Sequence, residues 1–137
     1  MSTQIRTPNA ARLAAYWFGI QVVWGALLGV SLQSRASELA PGWALGAYPL
    51  LAGWGAAVAA ITQIAAGVLS DRRARGGHSR LPFYIAGAVL GSAGLVWFYA
   101  APVFSQAFAA VLLVQFGMNL AIGPYQAALP DYIEEER

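Results

Sequence analysis

The chain has 137 residues, 58% of them hydrophobic and only 10% charged, with a net charge of +2. Soluble globular chains carry about 25% charged residues, so most of this surface must face lipid rather than water. The absence of cysteine excludes disulfides, thiolate metal sites and thiol catalysis, and the lone His78 excludes a multi-histidine metal centre. No segment has the charge that keeps a disordered chain solvated, and so small a net charge gives no footing for nucleic acid.

A helix needs about 20 apolar residues to cross the hydrocarbon core. Four stretches qualify: roughly Leu13 to Leu32, Ala47 to Leu69, Pro82 to Ala101 and Phe104 to Ala128. Pro49 and Pro82 fall near predicted helix starts, where a missing N–H costs little. No charged residue occurs between Leu81 and Pro130. That length is about twice what one crossing takes, so the chain must fold back, with Ala100-Ala101-Pro102 as the hairpin. Gly25 and Gly29 in the first span, Gly87 and Gly91 in the third, and Ala52, Ala56 and Ala60 in the second recur every four residues. Such rows let helices approach closely in lipid, and all three are expected to pack.

Orientation follows the arginines. With the N-terminus inside, the inner segments hold Arg6, Arg12, Arg72, Arg73, Arg75, Arg80 and Arg137, and the outer segments hold only Arg35. This bias places both ends on the cytoplasmic side. A cleaved signal peptide is the competing reading of the first span; its length and the lack of a clean small-residue cleavage site count against it.

The segment after the second span reads Gly67-Val68-Leu69-Ser70-Asp71-Arg72-Arg73-Ala74-Arg75 and continues to Arg80-Leu81-Pro82-Phe83. The helix dipole favours basic residues at a helix C-terminus, so Asp71 has the wrong sign there and calls for a partner. This pattern resembles the signature loop between helices two and three of the major facilitator superfamily. It departs at Ala74, where that superfamily usually has glycine, and it carries Gly76-Gly77-His78-Ser79 before Arg80. A second stretch, Asn119-Leu120-Ala121-Ile122-Gly123-Pro124-Tyr125-Gln126 running on to Pro130-Asp131, is similar to the end of helix four in sucrose-type and glycoside–pentoside–hexuronide-type members. The resemblance implies an all-α membrane fold in which this chain corresponds to helices one to four of twelve. Glu134 to Arg137 would then lie in the loop before a fifth helix. It also implies that Gly67, Asp71, Arg72, Arg75, Arg80 and Asp131 form a conformational loop on the inner face. Asp131 is expected to pair with Arg75 or Arg80. Asp71 is expected to face outward, either solvated or borrowing a local arginine.

Polar residues inside a span are costly and often functional. Gln115, Asn119, Ile122 and Gln126 fall on one face of the fourth span, and Trp17, Gln21, Trp24 and Leu28 make a similar stripe on the first. Gln63 stands alone in the second. Amides hydrogen-bond hydroxyls, and aromatic rings stack on a sugar's apolar face. The resemblance places helices one and four at the cavity, so Trp17, Gln21, Trp24, Gln63, Gln115, Asn119 and Gln126 are the candidate substrate-binding residues. The bland alternative is interhelical glue.

No acid or base lies mid-span, so a proton or sodium carrier would have to reside elsewhere. No nucleophile–base pair, phosphate loop or metal cluster appears, which argues against an enzyme, a cofactor or a metal site. The expectation is the N-terminal portion of a secondary transporter for a sugar or similar polar solute, in a cell membrane of the bacterial inner-membrane kind. It would be incompetent without its missing helices or a partner chain. The alternatives are a non-transporting membrane subunit and a small four-helix multidrug exporter, the latter weakened by the lack of a membrane acid.

Overall fold

The computed structural model describes residues 10–133, and within them every regular element is helical. The first span is one rod made of α1 (Ala10–Ala26), a π-helical turn (Leu27–Ser31) and α2 (Leu32–Leu39). The second is α3 (Ala44–Arg75), the third α4 (Leu81–Ala100) and the fourth α5 (Phe104–Ile133). All four are long and apolar enough to cross a membrane. Their outer faces carry large side chains bare of protein contact, Leu45 at 96% exposure and Ile61 at 71% among them. Such faces suit a hydrocarbon solvent, and the chain is a multi-pass helical membrane protein.

The helices overrun the apolar stretches that mark them. The first continues from Leu32 to Leu39, because Arg35–Glu38 (2.8 Å) and the bond from Ser37 Oγ to the Gln33 carbonyl (3.0 Å) extend it as a polar helix. It stops at Ala40, whose helical geometry is disfavoured by the following Pro41. α3 begins at Ala44, so Pro49 sits inside the helix rather than at its start. It runs past Leu69 to Arg75 and ends where Gly77 takes a φ of +77°, a conformation that glycine adopts without steric cost. Arg72, Arg73 and Arg75 fill its last turn, the sign the helix dipole favours. α4 and the tight turn at Ala101-Pro102 fall where hydropathy puts them, with Ala101 extended before the proline.

Close backbone approaches set the arrangement. A Cβ on Gly117 would lie 2.3 Å from the Gly91 nitrogen, and one on Gly87 would lie 2.6 Å from the Gly117 carbonyl oxygen. Gly94 meets Val114 in the same row, so α4 and α5 run antiparallel in near backbone contact. A Cβ on Gly123 would meet the Gln63 carbonyl oxygen at 2.5 Å, while Gly67 faces Gly123 and Gly55 faces Gln115, so α3 and α5 run parallel. α5 is therefore the central helix.

The third-span row of Gly87 and Gly91 packs as expected. The other two rows do not. Gly25 and Gly29 have nothing within 4 Å of a Cβ position, since among the described residues no helix lies against that side of the first span. Ala56 and Ala60 are exposed and Ala52 half-buried; the buried row of α3 is instead Ala47, Leu51, Gly55, Thr62, Ala66 and Ser70. The main core lies toward the turn between α4 and α5, where Leu27, Leu32, Leu51, Phe98, Val111 and Val114 meet.

Candidate functional site

α1 stands away from the rest of the bundle, and the gap it leaves toward α3 and α5 is a groove of about 430 Å³. Trp17, Gln21 and Trp24 project from α1, Gln63 from α3, and Gln115, Asn119 and Gln126 from α5. All the residues proposed from sequence as substrate-binding thus come together on one surface. The lining holds amides, indoles, the Tyr48 phenol and apolar side chains, and no charged group.

The amides are ordered by their own contacts. Asn119 Nδ2 donates to the Gln115 backbone carbonyl at 2.8 Å and lies 3.5 Å from Gln115 Oε1. Both residues are only 4% exposed. Gln115 can lie so deep because its amide nitrogen occupies the space of the missing Gly55 side chain, 2.9 Å from where a Cβ would stand. Gln63 Nε2 donates to Gln126 Oε1, tying α3 to α5 across the groove floor. Trp17 stacks on Tyr125 with ring centroids 5.7 Å apart and planes 10° from parallel. The interhelical-glue reading therefore applies to the Gln63–Gln126 pair, whereas Asn119 bonds within its own helix.

Sequence reasoning missed Tyr48, Ala52, Ala56 and Ala59, which complete the α3 wall. Ala52 and Ala56 belong to the Ala52–Ala56–Ala60 row expected to pack; Ala59 lies outside that row. Here these alanines keep the wall low, so the groove stays open. Gly55 and Tyr125 carried no signal of their own, because their roles depend on the partners Gln115 and Trp17.

At the arginine-rich end, Arg80 Nη2 meets Asp71 Oδ1 at 2.9 Å, so Asp71 borrows a local arginine. Asp71 borders a recess between α3 and α5 that is shared by Gln63, Gly67, Gly123 and Gln126. Gly67 thus serves a helix crossing within α3. Arg72 and Arg75 are exposed, and Arg73 Nε donates to the Ser79 carbonyl at 3.0 Å, bracing the turn. The side chain of Asp131 lies outside the described residues, as does its expected pairing with Arg75 or Arg80. At the opposite end Arg35 donates to the Ala101 carbonyl, binding α2 to the α4–α5 turn. The Ser31 hydroxyl meets Tyr99 Oη at 2.6 Å beside it.

Fold and groove together define a helical multi-pass membrane protein with an uncharged, amide-lined cleft. No protein-family model, curated protein or solved structure matches the chain.

Proposed function

We propose that this chain is the N-terminal portion of a secondary active transporter of the major facilitator type, moving a small polyhydroxylated solute such as a sugar by alternating access. The observation that carries the reading is the groove: amides from three spans and two indoles converge on about 430 Å³ with no charge among them. Amide dipoles with free lone pairs and N–H groups suit hydroxyls, and indole faces suit the C–H face of a sugar ring. An ionised solute would find no counter-charge. The seven arginines in the segments that the sequence assigns to the inner side set the proposed topology, with both termini on the cytoplasmic side of a bacterial inner membrane.

The groove is open along its length, and α1 also leaves an apolar slot toward α4. Further helices of the transporter, or a partner chain, close these faces, and the four spans alone do not transport. The coupling ion of a symporter binds outside these spans, which carry no mid-membrane acid. The chain is not an enzyme on this reading. One observation favours the alternative of a non-transporting subunit: the uncovered Gly25 and Gly29 face, which suits a helix partner.

The test is tryptophan fluorescence of the purified chain in nanodiscs, titrated with xylose, glucose and sucrose. The expected result is a saturable change for at least one sugar that is lost in the Trp17→Phe/Trp24→Phe variant. A flat response to all three removes the sugar reading. Uptake of sugar by proteoliposomes holding this chain alone removes the claim of incompetence.

A further inference from the structure

The first span is held very differently on the two sides of its π-helical turn. Beyond the turn, Leu32 and Ala36 are at most 1% exposed. Arg35 binds the Ala101 carbonyl, and at the last residue of the turn itself Ser31 meets Tyr99 at 2.6 Å. Before the turn, Ile20 is the one buried residue among those of α1 whose burial is described. Among the ties of α1 to the other helices there are ring contacts, Tyr16 to Tyr84 at 5.9 Å, Tyr16 to Tyr125 at 5.1 Å and Trp17 to Tyr125 at 5.7 Å. One half of the rod is anchored by polar bonds and close packing, and the other is mostly exposed, with ring contacts among its ties.

Space lies on both sides of the loose half. Trp17, Gln21 and Trp24 face the groove of about 430 Å³. Ala15, Gly19 and Val23 face a second, apolar slot of about 350 Å³ against Gly87, Ala88 and Ser92 of α4. A swing of α1 toward α4 would widen the groove at the expense of the slot, and a swing away would do the reverse.

We propose that the turn Leu27–Ser31 is a hinge on which α1 swings against an anchored α2, so that the width of the groove is set by this one half-span. The chemistry of the turn suits the role. Its hydrogen bonds skip one residue further than in an α-helix, as in the bond from the Leu32 N–H to the Leu27 carbonyl. Such turns are places where helices bend. The Ser31 hydroxyl donates to the Ala26 carbonyl at 3.0 Å, supporting an acceptor at the joint where the ladder changes pitch. Gly29, inside the turn, has nothing within 4 Å of a Cβ position, while Leu27, 1% exposed in the core, fixes the pivot on the other face. The hinge is a property of the chain itself and holds whatever the groove binds.

The chain lacks cysteine, which makes spin-label distance measurement direct. One labelled pair, Ala14→Cys with Ile85→Cys, reports α1 against α4. A reference pair, Gln33→Cys with Val103→Cys, reports α2 against the α4–α5 turn. In lipid nanodiscs the first distance distribution should be about twice as wide as the second, as for a lever held at one end. Deleting Gly29 removes the extra residue that a π turn accommodates, and it should narrow the first distribution to the reference width. Equal widths in the unaltered chain, or a wide distribution that survives the deletion, overturn the hinge. Where the deletion prevents folding, Ser31→Ala replaces it. Losing the hydroxyl, and with it the bond to Tyr99, should broaden the first distribution more than the second, and an unaltered first distribution overturns the proposal.

Discussion

Replacing Gly117 by alanine tests the claim that α5 organises the fold. The new Cβ would stand 2.3 Å from the Gly91 nitrogen, 2.8 Å from its Cα and 2.8 Å from the Leu90 carbonyl carbon. Carbon atoms in contact prefer about 3.5–4.0 Å, so α4 and α5 must part by roughly 1 Å at this crossing. All the obstructing atoms are backbone, and no rotamer change relieves them. A gap of 0.5–1 Å forfeits about a quarter to a half of each dispersion well along the interface. Overpacking of this kind costs about 1–3 kcal/mol. The matched control is Gly25→Ala, where nothing lies within 4 Å of the Cβ position and the change should stay within about 0.5 kcal/mol. Thermal unfolding of both variants in one detergent, followed by circular dichroism, separates them. A Gly117→Ala protein that melts with the parent would refute the close crossing. So would a Gly25→Ala protein that is destabilised as much as Gly117→Ala.

Arg35→Ala removes the bond to the Ala101 carbonyl and should cost about 1.5–3 kcal/mol, the range for bonds to charged groups. Faster amide exchange along α2 would report it, and unchanged exchange would contradict the clamp. The Gln63→Leu/Gln126→Leu double-mutant cycle should give a coupling of about 0.6 kcal/mol, the average for side-chain hydrogen bonds between membrane helices, and at most about 1.7 kcal/mol; zero coupling would mean the pair is not formed. For orientation, an impermeant thiol reagent added outside intact cells should label Ser37→Cys and spare Ser79→Cys. Efficient labelling at position 79 reverses the topology.

Hydropathy made the spans legible, because an apolar run of this length has no soluble use. It did not locate their ends. Transfer energy marks the edge of the membrane, whereas a helix stops where its hydrogen bonds do, so Arg35, Glu38 and Arg72 to Arg75 continue helices into water. Small-residue rows proved ambiguous for a related reason. Gly87–Gly91 and Gly25–Gly29 are identical in pattern, yet only the first has a neighbouring backbone. The groove residues were legible because amides and indoles stand out in an apolar span and helical spacing assigns them a face. Gly55 and Tyr48 were not, since a small residue under an amide and an aromatic at a helix flank each have many ordinary uses. The π turn left no signal, because it depends on how α2 and α4 fix the rod beyond it.

The faces of α5 explain why a groove exists at all. Gly117 and Val114 are committed to α4 and Gly123 to α3, each by contact too close to vary. Gln115, Asn119 and Gln126 remain on a third face toward α1. Covering that face by drawing α1 onto it would require Trp17 and Trp24, both bulky, to seat against alanines and amides whose hydrogen bonds they cannot all satisfy. Leaving it to lipid would strand amide groups in hydrocarbon, where an unpaired polar group costs several kcal/mol. Polar groups at this depth persist where they line a water-filled cavity or meet more protein. Gln115 and Asn119 are buried and Gln126 bonds Gln63, so the exposed edge of this face is at Gln126, where water, a polar solute or another polypeptide can meet it.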